Sequence, residues 1–276
     1  MIPQVDIDTS PVRASINRIL AMVLRYSYLL RNSWPRIIEL AYWPAVQMVL
    51  WGFISNFYST HSSWVAQASG MLIAAVLLWE VLFRGQLGVS LAFYEEMYSR
   101  NLGQLFVSPL RPFELITALL SISFLRTLLG VGIAAILATF LYAFSIIDIG
   151  LPLLAFFCNL LVFGWAMGLM VCALVLRNGL GAESLAWVVI FAIAPISGIY
   201  YPVSVLPEWL QVLAAAIPSS HVFEGMRAVM IGDGFDWGLF INALALNVLY
   251  LILGVGIFLR TFHVARRRGL LLQIGE

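Results

Sequence analysis

The chain reads as an all-α polytopic membrane protein, and three observations predict it. Hydrophobic residues make up 62% of its 276 residues and charged ones only 11%, with a mean hydropathy of +0.96. A soluble domain carries about 25% charged residues. The apolar residues gather into segments of about 20 residues, the length a helix needs to cross the hydrocarbon core. The basic residues fall almost entirely in alternate connections between those segments.

Six spans follow, at roughly 38–58, 66–90, 113–142, 150–176, 182–203 and 238–259. The fourth is longer than a crossing needs and should tilt or protrude. Residues 1–36, the 91–112 and 177–181 connections and the tail after 259 hold Arg13, Arg18, Arg25, Arg31, Arg36, Arg100, Arg111, Arg177, Arg260, Arg266, Arg267 and Arg268. The alternate connections hold only Arg227, among Asp148, Glu208, Glu224, Asp233 and Asp236. Positive charge stays on the cytoplasmic side, so both termini are expected there. The chain divides into a cytoplasmic N-terminal segment over 1–36, a transmembrane domain over 37–260 and a basic tail over 261–276.

The N-terminal stretch 10–33 has the pattern of an interfacial helix. Ser10 is a good N-cap and Pro11 suits the first helical position. Ile16, Ile19, Leu20, Val23, Leu24 and Ser27 follow the helical period, while Arg18, Arg25 and Asn32 recur on another face. Such a helix lies along a leaflet surface; the alternative, an extension of the first span, is opposed by Pro35. No apolar core of a cleaved signal accompanies the N-terminal arginines.

All 15 basic residues are arginine, against 14 acidic ones. The near balance leaves no nucleic-acid footprint. Without a lysine the chain cannot carry a standard phosphate-binding loop, so any energy from ATP must come from another polypeptide. Cys158 and Cys172 fall on one span, roughly 21 Å apart along a helix and out of disulfide range. His61, His221 and His263 are scattered and show no metal-ligand spacing. Ser197-Gly198 resembles a nucleophile site in a span, but the sixth span holds no histidine to act as its base.

Two connections carry content. Residues 91–112 mix aromatics with Glu95, Glu96 and Arg100 at helical spacing, then stop at Pro109 and Pro112. This suits a short amphipathic helix seated in a partner's groove, or a solvated connector anchored by its aromatics. Residues 196–227 are too broken by Pro202, Pro207 and Pro218 for a plain span, and read as a cap of short helices at the membrane surface.

Glu80, Arg84 and Arg126 are the charges well inside spans, where an unpaired charge is costly. Counted from span ends near 91 and 113, Glu80 and Arg126 lie at similar depth, which predicts a Glu80–Arg126 pair with Arg84 one turn below. Arg84 could also approach Glu39 or Glu114. The pair could simply fix helix packing, or act in substrate handling. Gly164 and Gly168, four residues apart on the fourth span, allow close helix contact. Trp51, Trp79 and Phe191 could face a substrate pathway.

Together the Glu95–Leu110 stretch, ending in Ser-Pro-Leu-Arg-Pro, and the run Tyr201-Pro…Leu206-Pro-Glu-Trp…Ile217-Pro…Glu224-Gly-Met-Arg227 resemble the permease subunits of type-2 ATP-binding-cassette exporters. The likeness covers essentially the whole chain, and is greatest to the bacterial branch with nodulation-factor and drug-type exporters. It implies a non-catalytic subunit of a bacterial inner-membrane complex. That complex pairs a homodimer, or a heterodimer with a paralogous permease, with two separate ATPase subunits that carry the ATP and Mg. It holds no cofactor on this chain. Tyr94–Phe106 would be the coupling helix, with Glu95, Glu96, Met97, Tyr98 and Arg100 facing the ATPase. Residues 204–231 would form the external re-entrant cap, shaped by Tyr201, Pro202, Pro207, Trp209, Pro218, Glu224 and Arg227. The cargo would be amphipathic or lipid-linked and move outward by alternating access. A stand-alone secondary transporter or channel is the competing reading; it would show repeat symmetry and a mid-membrane coupling carboxylate free of arginine partners.

Overall fold

The computed structural model describes residues 10–61, 63–142, 144–146 and 150–268. Asp148 and the last eight residues of the expected basic tail lie outside the described residues.

Local chemistry starts the first helix, α1 (Pro11–Arg31), as the sequence suggests: Ser10 Oγ accepts from the Arg13 amide at 3.4 Å. Asn32 and Ser33 break it from α2 (Trp34–His61), whose first turn holds Pro35. The N-terminal helix is therefore separate from the first span. Next come α3 (Ser63–Tyr98), α4 (Leu102–Val107), α5 (Pro112–Tyr142), α6 (Leu151–Asn178), α7 (Leu185–Ile193), α8 (Glu208–Ala215), α9 (Pro218–Ile231) and α10 (Trp237–Arg267). Among the described residues, five stretches are long and apolar enough to cross a membrane: Trp34–Phe57, Gly70–Tyr98, Pro112–Tyr142, Leu151–Asn178 and Trp237–Arg267. The chain is a multi-pass, all-α membrane protein.

Helices α3 and α6 form the centre; the apolar window of α3 is 89% buried and that of α6 is 72% buried, against 17–28% for the outer three. The two run parallel, with Gly164 facing Leu82 and Gln86, and Gly168 facing Gln86 and Val89. A Cβ at Gly164 would stand 2.8 Å from the Leu82 carbonyl oxygen and 2.9 Å from the Gln86 nitrogen, both rigid backbone. Gly164→Val should therefore cost about 1–3 kcal/mol of stability. Thermal unfolding in detergent should show a lowered Tm for this variant and little change for Gly132→Val, where nothing lies within 4 Å.

Helix α10 runs parallel to α6 as well. Asn247 Nδ2 donates to Asn159 Oδ1 at 2.8 Å, and Gly254 abuts the Ala166 backbone seven residues further along each helix. Parallel neighbours force the chain between them to cross back through the bundle. Residues 182–203 make that return, but not as the continuous span the sequence predicts. Helix α7 has nine residues, and turns follow from Ala194. Pro195 disfavours helix at the residue before it, and Gly198 adopts φ +63. The return is thus a half-length helix, a turn and the paired helices α8 and α9. Pro218, Ser219, Ser220, Val222 and Phe223 at the start of α9 are buried, whereas Ile231 at its end is exposed. The start of α9 is the end that dips into the bundle.

Candidate functional site

Four elements meet where α3 turns into α5. Helix α3 continues to Tyr98, and Arg100 makes the turn with φ 54, the one positive value for a non-glycine among the described residues. The six-residue α4 follows, and Ser108 closes it by giving its amide to the Gln104 carbonyl. The amphipathic helix expected over Tyr94–Phe106 is therefore split between the last turn of α3 and α4.

Ion pairs fasten α1 and α2 to this corner. Glu114, fully buried at the start of α5, accepts from Ser15 Oγ at 2.6 Å, from Arg18 Nε at 2.9 Å and Nη2 at 2.7 Å, and from the Arg111 amide at 2.9 Å. Glu96, also fully buried, lies 2.9 Å from the Arg25 guanidinium. Burial pushes the neighbouring Tyr26 phenol up, and the Glu96 carboxylate beside it acts the same way. Tyr26 is thus a neutral hydroxyl. Glu95 holds Arg126 Nη2 at 3.2 Å and Arg36 Nη1 at 3.4 Å. Arg18 and Arg25 on α1 face the protein through these pairs, and Ile16, Leu20 and Leu24 look out.

These contacts correct two expectations. Glu96 and Met97 are 0% and 5% exposed, so they form no docking face; the seven-residue extension of α3 folds them into the bundle. Tyr98, Arg100, Gln104, Val107, Ser108 and Pro109 are the exposed side of the corner. Nor does Glu80 pair with Arg126. Arg84 Nε donates to Glu80 Oε2 at 3.0 Å on the same helix, and Gly130 leaves the room that the Arg84 side chain fills. The longer α3 places Glu80 about 10 Å further from the corner than a span ending near 91 would. Direction completes the explanation. Side chains lean toward their helix N-terminus, and α3 and α5 are antiparallel, with Gly88 facing Ser123 and Arg84 facing Gly130. Arg126 leans toward the corner and Glu95 leans up to meet it, while Glu80 leans away.

A cavity of about 280 Å³ opens beside this network, between the end of α1 and helices α2, α3, α5 and α7. Trp43, Phe83, Arg84, Glu95, Arg126 and Trp187 are among its walls. Arg126 Nε and Glu95 Oε2 have no hydrogen-bond partner among the described residues. Both atoms are buried, so the cavity's polar wall is the Arg126–Glu95 ion pair, set beside aromatic rings. Of the aromatics expected on a pathway, Phe191 is exposed and packs on Phe83 at 6.1 Å. Trp51 stacks on Tyr200 at 4.4 Å. Trp79 is buried at 5% exposure, and its ring serves the core. Phe83 and Trp187 carry no distinguishing sequence signal, and only packing brings them to the cavity wall.

At the opposite end the expected cap residues come together. Glu224 Oε1 accepts from the Val203 amide at 2.6 Å and lies 2.9 Å from Arg227 Nη2. Arg227 Nη1 donates to the Gly198 carbonyl at 2.6 Å, and Tyr201 Oη to that of Pro195 at 2.7 Å. One Glu–Arg pair thus ties α9 to the turn after α7. Pro202 precedes the 3₁₀ turn Val203–Val205, Pro207 caps α8, and Pro218 starts α9. Trp209 on α8 stays exposed. Ser197 shares a 2.7 Å hydrogen bond with Ser219 Oγ and donates to the Ile193 carbonyl; neither partner is a general base. No group of three His, Cys, Asp or Glu residues able to hold a metal occurs among the described residues.

The sequence profile of the ABC-2 type transporter family matches residues 24–231, from within α1 to the end of α9. The chain belongs to that family. A search among curated proteins returned no match. As an ABC-2 permease it is a membrane transport component, and membership implies work with an ABC ATPase subunit and as a dimer. The corner and the cavity lie within the matched region.

Proposed function

We propose that this ABC-2 permease is the membrane-spanning half of a bacterial inner-membrane exporter. Two copies, or one copy with a paralogous permease, move an amphipathic or lipid-linked substrate outward by alternating access. Two separate ATPase subunits hold the ATP and Mg. Both termini and the corner around α4 are cytoplasmic, in keeping with the arginine distribution, and the α8–α9 cap is external. The exposed side of the corner docks the ATPase. The polar head of the substrate occupies the cavity beside Glu95 and Arg126 and its apolar part lies against the aromatic wall.

The observation that carries the coupling part of this reading is the clamp of Arg25–Glu96, Arg18–Glu114 and Arg36–Glu95–Arg126. It joins α1, α2, α3 and α5 into one body at the corner, so a displacement of α4 moves all four rather than bending one loop. Rigid-body switching needs such a lever. The test is to purify the tagged chain from its native membrane and identify by mass spectrometry what stays bound. An ATPase subunit in equal amount is expected, together with a second permease. A lone dimer with no nucleotide-hydrolysing partner would sink the coupled exporter and favour a secondary transporter.

A further inference from the structure

At the ends of α6 and α10 that lie beside the corner, a groove of about 730 Å³ is lined by Arg177, Asn178, Arg260, Thr261 and Arg268 over an apolar floor that includes Ile257. Its three arginines are exposed and form no ion pair among the described residues, and no acidic residue lines the groove. In the cavity beside the corner, by contrast, the lining arginines Arg36, Arg84 and Arg126 are each matched by a carboxylate. The groove thus gathers positive charge that no carboxylate among the described residues neutralises.

Its position along α10 says what neutralises it. Trp237 begins the helix at the level of an aromatic belt. Twenty residues later, at Ile257, the helix has risen about 30 Å, the thickness of the hydrocarbon core. Arg260 is therefore at the depth of the phospholipid phosphates, with the Arg268 backbone about 12 Å further along the axis and its long side chain lining the same groove. Above the groove, Leu253 is exposed one turn from Ile257 on the same face of α10 and carries its apolar floor further along the helix. A phosphate among the guanidiniums would leave its acyl chains lying directly along that floor.

We infer that Arg177, Arg260 and Arg268 form a binding site for the phosphate of an anionic phospholipid. Asn178 and Thr261 offer further hydrogen bonds to the head, and the chains run along Leu253 and Ile257. Arginine suits the role because its planar fork meets two phosphate oxygens at once, and basic grooves between membrane helices hold such head groups. The site stands apart from the cavity at Arg126 and does not depend on the transport reading. Only its assignment to the cytoplasmic leaflet rests on the proposed topology.

The test is native mass spectrometry of the purified full-length permease in detergent, incubated with phosphatidylglycerol or with phosphatidylcholine of the same chains. Phosphatidylglycerol should be retained at least about tenfold more strongly, given three cations at about 1 kcal/mol each. The triple variant Arg177→Gln, Arg260→Gln, Arg268→Gln should lose that preference. A double variant Arg266→Gln, Arg267→Gln, whose residues are not in the groove, should keep it. Equal loss in the double variant would mean diffuse attraction to a basic end and overturn the site. Full displacement of the lipid by inorganic phosphate would show a site for the free anion, in which the chains contribute nothing. A triple variant that still holds the lipid but sheds the ATPase subunit would make the cluster a protein-docking surface and overturn the lipid assignment, with the exporter reading intact.

Discussion

Glu114→Ala should release the N-terminal helix from the bundle. The Glu114 carboxylate is fully buried and collects donors from Ser15, from two nitrogens of Arg18 and from the Arg111 amide. Two of its partners lie on α1, almost a hundred residues away in sequence. Hydrogen bonds to a charged group contribute about 1.5–3 kcal/mol each, and the part exposure of Arg18 lets water recover some of that. A net loss of about 2–4 kcal/mol in the docking of α1 follows. Hydrogen exchange over Pro11–Arg31 should quicken by about two orders of magnitude, while α6 and α10 stay protected. Arg18→Ala should do less, because the carboxylate then keeps Ser15 and the Arg111 amide. Unchanged exchange in Glu114→Ala would mean that Met22, Tyr26 and the Arg25–Glu96 contact hold α1 alone.

What was legible in the sequence divides by range. The Ser10-Pro11 start and the break at Pro35 depend on neighbours in the chain, and the structure has both. The starts of α8 and α9 were legible for the same reason, since Pro207 and Pro218 act on their own helices. Span length fails where a helix ends for a backbone reason inside an apolar run. Residues 182–203 are hydrophobic enough to cross, and hydropathy carries no sign of how Ala194-Pro195 and Gly198 end α7.

The end of α3 shows the converse. Polar residues near 95 suggest that a span is over, but the helix continues because each carboxylate there meets a cation from another element. Burial of a charge depends on its partner, and the partners Arg25, Arg36 and Arg126 are distant in sequence. The error in one helix end then spread to the pairing of Glu80, which rested on depth alone. Reading the lean of side chains toward the helix N-terminus would have favoured Glu95 over Glu80 for Arg126, once α3 and α5 were taken as antiparallel neighbours. The Asn159–Asn247 contact joins residues 88 positions apart on separate helices, and no local pattern pairs them.

Those same burials decide where an ATPase can touch, which makes Val107 the sharper probe of coupling. Val107 is 91% exposed at the end of α4, an apolar side chain at the tip of a corner otherwise held in place by ion pairs. Under the proposed docking, Val107→Asp places a carboxylate in a desolvated contact without a partner, at a penalty of about 2–4 kcal/mol in association. Co-purification of the ATPase subunit should fall at least tenfold, with yield, Tm and dimer elution unchanged because the side chain touches little of its own chain. Val212→Asp, 71% exposed on α8 at the other end of the molecule, should leave ATPase recovery untouched. Glu96→Ala should behave differently from both, lowering Tm first and ATPase recovery only as a consequence, because Glu96 is fully buried against Arg25. If Val107→Asp retains the ATPase in full, the exposed corner is not the docking surface, whatever holds the corner rigid.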